Sequence, residues 1–193
     1  MELSPDEVEA AIEAYRSSEP LYTVESESIE GLPRAFRRGE YGRRDAQWVV
    51  RWFGRRYLGE EPPGFDRTHR EERFEGADFE AVRDAIDEAV AADRDEFGSA
   101  VDALTSLPGV DFPIASAFLA FANPEVFVVV DRRTWQAAQS LTDLEGAYPD
   151  PPNIEQYEAF LDTCHVLADR YGVGPWEVYM FLWRHGAAST DPE

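Results

Sequence analysis

Lysine is absent from this chain of 193 residues, and all 18 of its basic residues are arginine. With no side-chain amine, Schiff-base chemistry on a lysine is excluded. Cysteine is nearly absent too. The single Cys164 rules out an intrachain disulfide and any four-cysteine zinc or iron–sulfur site. The three histidines, His69, His165 and His185, are scattered, and none sits at i, i+4 with another ligand type in a metal-binding arrangement. Neither a catalytic metal nor a cofactor is therefore expected. Cys164 and His165 are neighbours on a stretch that reads as an amphipathic helix, where adjacent side chains point in different directions, so a thiol–imidazole pair is not expected. There is no signal peptide, no apolar run long enough to span a membrane, no low-complexity tract and no repeat with a period of roughly 20 to 50 residues. These absences predict a cytoplasmic protein with no membrane partner and no solenoid architecture.

What the chain does have is carboxylate. Asp and Glu number 39, giving a formal net charge of −21. An acidic, lysine-free surface suits molar salt, where repulsion between exposed charges is screened within roughly 3 Å. Net charge then describes the solvent more than the ligand, and local charge becomes the better guide. Between Arg34 and Arg73 stand 11 arginines against 7 acidic residues. This asymmetry fits a nucleic-acid groove, in which phosphate contacts supply affinity and arginine offers a planar, bidentate donor. It equally fits pairing with acidic helices of the same chain.

Hydrophobic residues make up 44% of the sequence and aromatics 13%, enough to bury one substantial core. The periodicity predicts helices near 4–16, 44–57, 78–92, 95–107, 113–121, 132–141, 154–171 and 175–185. The first is announced by Ser4-Pro5-Asp6-Glu7. The segment 21–30 is polar and β-tolerant, 58–75 reads as a Pro/Gly-containing loop, and 142–153 as an acidic, Pro-rich connection. No alternating strand pattern competes. The expected fold is all-α, with residues 1–193 forming one irregular helical bundle.

The most informative stretch is Leu107-Pro108-Gly109-Val110, followed by a helix-compatible run from Pro113 to Phe121 and, after Asn123-Pro124, by Val128-Val129-Val130-Asp131. Pro108-Gly109 breaks one helix, and Pro113 can begin the next because its missing N–H is no loss in the first turn. Unpaired backbone N–H groups at such a turn and helix start can hold a phosphate without any basic side chain. The apolar run ending at Val130 is long enough to be buried, and it delivers Asp131 where the chain turns polar at Arg132-Arg133. Asp131 also suits a helix N-cap, a role worth about 1 kcal/mol that can coexist with a chemical one.

This pattern resembles the helix-hairpin-helix DNA glycosylase superfamily, whose signature is an L-P-G-V-G hairpin, a helix, and a "VD" aspartate opening a further helix. The resemblance covers 95–141. It implies a hairpin of Leu107, Pro108, Gly109, Val110 and Asp111 that grips DNA, and Asp131 as the catalytic carboxylate. In that family the position of Pro113, 18 residues before Asp131, often carries the lysine that attacks the sugar. Its replacement implies a monofunctional enzyme that hydrolyses the N-glycosidic bond of a modified base in double-stranded DNA and leaves the backbone intact. Two departures stand out. Asp111 occupies the place of the second hairpin glycine and sets a negative charge beside the phosphate, and Arg132-Arg133-Thr134 replaces the usual polar residues after the aspartate.

Two weaker likenesses accompany it. The apolar helix from Pro175 to Trp183 looks similar to the closing helix of 8-oxoguanine-glycosylase-like folds, and Tyr41, Trp48 and Trp52-Phe53 resemble their pocket-forming region. Trp48 and Trp52 stand at i, i+4 beside Arg51, Arg55 and Arg56, so they suit either base stacking or the core. Arg43, Arg44, Trp48, Trp52, Arg55, Arg56, Arg132 and Arg133 are the candidate DNA or pocket residues. Two other readings stay open: a nucleic-acid-binding or defence-associated module that keeps the fold without cutting, and a helical protein-interaction domain whose arginines meet an acidic partner.

Overall fold

One helix organises the rest. In the computed structural model, which describes residues 3–58 and 64–188, every residue from Phe112 to Ala122 is buried. A helix apolar all round belongs at the centre of a bundle. Around it the described residues form α1 (Pro5–Ser18), α2 (Tyr22–Arg38), α3 (Arg43–Arg55), α4 (Arg67–Glu75), α5 (Phe79–Ala91), α6 (Gly98–Thr105), the central α7 (Phe112–Ala122), α8 (Arg132–Leu141), α9 (Ile154–Tyr171) and α10 (Pro175–Ala188). No strand occurs among them, and the class is all-α. Helices α2, α3, α5 and α6 pack directly on α7, while α10 lies against α1, α8 and α9. None of these helices is long and apolar enough to cross a membrane.

The expected helices all form, with ends shifted by a few residues; the largest change is the stretch 95–107, which narrows to Gly98–Thr105. Two corrections concern segments read as connections. Residues 22–38, expected to be polar and β-tolerant in their first part, form α2. The core face of α2 is Glu25, Leu32, Pro33 and Phe36, with Ile29 partly buried, so the helical period is present but one of its core positions is a carboxylate. The second correction is α4 inside the expected 58–75 loop. Its sequence is almost wholly charged and only Phe74 is buried, so the helix shows no apolar stripe. Side-chain pairs stabilise it instead: Asp66 caps its N-terminus, and Glu71 gathers Arg51, Arg55 and Arg67. Residues 59–63 of that expected loop lie outside the described residues.

The apolar run before Asp131 is buried and belongs to no helix, and no strand among the described residues takes its backbone hydrogen bonds. Side chains take them. The Tyr157 hydroxyl donates to the Val128 carbonyl at 2.9 Å, the Ser116 hydroxyl accepts from the Val130 N–H at 3.0 Å, and His165 Nε2 meets the Val126 carbonyl at 2.8 Å. Buried peptide groups must find partners, so these contacts fix the path of the run and hence the position of Asp131.

Candidate active site

Asp131 is the N-cap of α8. Its Oδ1 accepts from the Thr134 N–H at 2.8 Å and from the Thr134 hydroxyl at 3.2 Å, while the Thr134 hydroxyl in turn accepts from the Asp131 N–H. An N-cap this complete satisfies the helix start and holds the carboxyl group in one orientation. The other oxygen carries more than a cap requires. Oδ2 forms a tight ion pair with Arg56 and accepts from the Tyr57 hydroxyl at 3.0 Å. Both side chains of the ion pair are buried.

Arg56 follows directly on the end of α3, in a nest of rings. Its guanidinium sits over Phe53 at 4.1 Å and Trp183 at 4.7 Å, with Trp52, Tyr57 and Tyr179 also within cation–π range. It donates to the Phe53 carbonyl and to the Tyr179 hydroxyl, both at 3.1 Å. Burial alone would make this cation easier to deprotonate, but Tyr179 and Asp131 outweigh burial and hold its pKa above the ordinary value. Burial pushes the Tyr57 phenol well up, and the negative Asp131 beside it adds to the effect. The hydroxyl is therefore a proton donor to the carboxylate.

A second buried carboxylate lies behind this pair. Glu25 accepts from the Tyr15 hydroxyl at 2.8 and 2.9 Å and from the Trp52 indole N–H at 2.8 Å. Burial raises its pKa to about 7, against the opposing pull of those hydrogen bonds and of Arg56.

In front of Asp131 opens a cavity of about 130 Å³, walled by Phe53, Tyr57, Phe65, Pro113 and Tyr148. Arg56 is not among its lining residues, so the carboxylate stands between the guanidinium and the cavity. Two arginine–carboxylate pairs flank it: Arg70 with Asp111 and Arg132 with Asp150, each at 2.7 Å. Each arginine also lies over an aromatic ring, Arg70 over Phe65 and Arg132 over Tyr148.

The turn from Ser106 to Asp111 forms the neighbouring wall. Gly109 has φ +85, and a Cβ there would meet the Arg70 carbonyl at 2.4 Å, so glycine is required both by the backbone and by the close approach of α4. Leu107 and Val110 are buried. Asp111 has extended φ and caps α7 by accepting from the Ile114 N–H. Burial raises its pKa while Arg70 opposes the shift. Between this turn and α4 runs a groove of about 390 Å³ that also exposes His69 and Arg73.

The remaining candidates divide. Trp52 is fully buried against Phe121, Trp176 and Tyr179 and presents no face for stacking. Trp48 is half-buried against the core. Arg56 is the partner of Asp131 and cannot reach a phosphate. Arg43 donates to the Glu75 and Ala77 carbonyls and lies over Phe79, which ties it to the end of α4. Arg44 and Arg55 are exposed, Arg55 within reach of Glu71. Arg133 stacks on Trp183 at 3.9 Å and donates to its carbonyl, clamping α8 to α10, and only Arg132 of that dipeptide reaches the cavity. Cys164 is buried, and burial pushes its thiol pKa well up, so it is no nucleophile.

Sequence reasoning missed Tyr57, Tyr148, Tyr179, Arg70 and Glu25. One signal was present: Val49, Trp52, Phe53 and Arg56 share a helical face, and an arginine on an apolar stripe calls for a buried carboxylate. Comparison of the chain with protein-family models, with curated proteins and with solved structures finds no match.

Proposed function

We propose that this protein is a monofunctional DNA N-glycosylase, which hydrolyses the bond between a modified base and its sugar. The observation that carries the reading is a buried carboxylate, Asp131, fixed at the wall of an aromatic-lined cavity beside the 106–111 turn. In this reading the modified nucleotide leaves the duplex and its base enters among Tyr57, Phe65 and Tyr148, where ring faces suit a planar ligand. As the base departs, positive charge develops on the sugar. A preorganised carboxylate on the cavity side opposes that charge without having to reorganise. Both of its oxygens already accept hydrogen bonds, from Thr134, Arg56 and Tyr57, so its part is electrostatic and orienting rather than that of a general base. Water adds to the sugar carbon as the C–N bond breaks, the water's proton passes to the departing base, and no lysine is present to carry the reaction on to strand scission.

A second reading, a nucleic-acid-binding module without chemistry, is favoured by one observation. All four acceptor positions of Asp131 are already filled by Thr134, Arg56 and Tyr57. Base release from modified duplexes at molar salt separates the two, because the module would bind the same duplexes and release nothing.

A further inference from the structure

A carboxylate that meets a new ligand must give up a donor it already holds, and the four donors on Asp131 are not equally free to leave. The Thr134 N–H belongs to the first turn of α8, and the Thr134 hydroxyl is tied into the same cap. Moving either would unwind the helix start. Arg56 is enclosed by rings and held by the Phe53 carbonyl and the Tyr179 hydroxyl, and pulling it away would leave two charges buried and unpaired. Tyr57 differs in three respects. It is half-buried rather than enclosed, it lines the cavity, and it stands past the end of α3 in a turn whose next residue, Leu58, has φ +53 and is exposed. Released from Oδ2, its hydroxyl opens onto the cavity, where water or a ligand can receive it.

We propose that Tyr57 is the exchangeable donor on Asp131: its hydroxyl caps Oδ2 while the cavity is empty and gives way to a ligand that brings positive charge to that oxygen. Tyr57 thus competes with a cationic ligand for Oδ2 in the reading above, on which this inference rests. A neutral sugar offers nothing in return for the displaced hydrogen bond, whereas a cationic one does. The hydroxyl therefore masks the carboxylate until the charged species forms as the base departs.

The test uses two duplexes, one with a pyrrolidine ring, cationic at nitrogen, in place of a single sugar, and one with the neutral tetrahydrofuran ring. Dissociation constants are measured for the wild type, Tyr57→Phe and Asp131→Asn, with thermal unfolding of each variant as the check on folding. Tyr57→Phe keeps the ring and removes only the displaced donor. We expect it to tighten binding of the cationic duplex by about tenfold, the worth of one hydrogen bond to a charged group, and to leave the neutral duplex unchanged. A preference for the cation that is unaltered or weakened in Tyr57→Phe overturns the proposal while leaving the functional reading intact. Equal binding of both duplexes by wild type and Tyr57→Phe overturns both. A preference that appears only in Tyr57→Phe supports the proposal and shows complete masking in the wild type.

Discussion

Arg56 and Asp131 form an ion pair with side chains buried to 3% and 4% exposure, reached from the end of α3 and the N-cap of α8. Such a pair is neutral as a unit but costly to split. Removing one partner leaves an uncompensated buried charge, with a cost of about 3–5 kcal/mol. Arg56→Met should lose about this much stability even though methionine fits an aromatic nest, and Asp131→Asn a comparable amount. The double variant should lose markedly less than the sum, since neither charge is then stranded. Denaturant unfolding of all four proteins at molar salt checks this, and additive losses would contradict the coupling.

Glu25 sets a pH dependence of the opposite sense to ordinary acid unfolding. Its folded-state pKa is raised from 4.5 to about 7, so between those values the native state holds a proton that the unfolded chain has released. Stability from this group therefore falls as pH rises through that window and is lowest above it, a change of about 3 kcal/mol at 1.36 kcal/mol per pH unit. Glu25→Gln can keep its carbonyl oxygen on Tyr15 and Trp52 without carrying charge. It should stabilise the protein at pH 8 relative to wild type and do so far less at pH 5. Unfolding free energies at the two pH values test this, and an equal effect at both would contradict it.

Gly109 is fixed twice, by φ +85 and by the Arg70 carbonyl only 2.4 Å from where a Cβ would stand. Gly109→Ala should cost about 2 kcal/mol or more, since backbone strain of this kind alone costs about 1–3 kcal/mol. The contact partner is backbone and cannot simply swing away. The loss should appear first as faster amide exchange in α4, measurable before global unfolding. Gly64→Ala, at φ +83 with open space around it, serves as the comparison for strain without a clash.

The exposed arginines should separate in duplex binding from one tied to backbone carbonyls. Arg44 and Arg55 are exposed, so each change to Gln should lower the slope of log affinity against log salt by about 1 if it contacts phosphate. Arg43, held by the Glu75 and Ala77 carbonyls, should leave the slope unaltered. Titrations at several salt concentrations read this directly.

How legible these features were depended on where polar side chains fell. Helices with a clean apolar face, such as α5 and α9, followed from periodicity, and α7 and α10 followed from their apolar composition. α2 was hidden because Glu25 takes a core position, and α4 because Glu71 and its arginines do the work usually done by apolar contacts. Asp131 was legible because a buried apolar run ending in an acid is a local pattern. Its partners were not. Arg56 and Tyr57 lie 75 and 74 residues away, Tyr179 comes from α10, and nothing local distinguishes a pairing arginine from a phosphate-binding one except the apolar face it shares.

Base release should require Asp131. The direct measurement incubates the protein at molar salt with duplexes that each hold one modified base, such as 8-oxoguanine, uracil or an alkylated purine, and then cleaves abasic sites with alkali. Asp131→Asn, shown to be folded by circular dichroism at the same salt, is the control. Strand cleavage is expected only after alkali, only at a modified base, and reduced at least about a hundredfold in Asp131→Asn, the usual scale for removing one preorganised electrostatic contact. Full release by the folded Asp131→Asn variant, or binding of the duplexes with no release by the wild type, would contradict it.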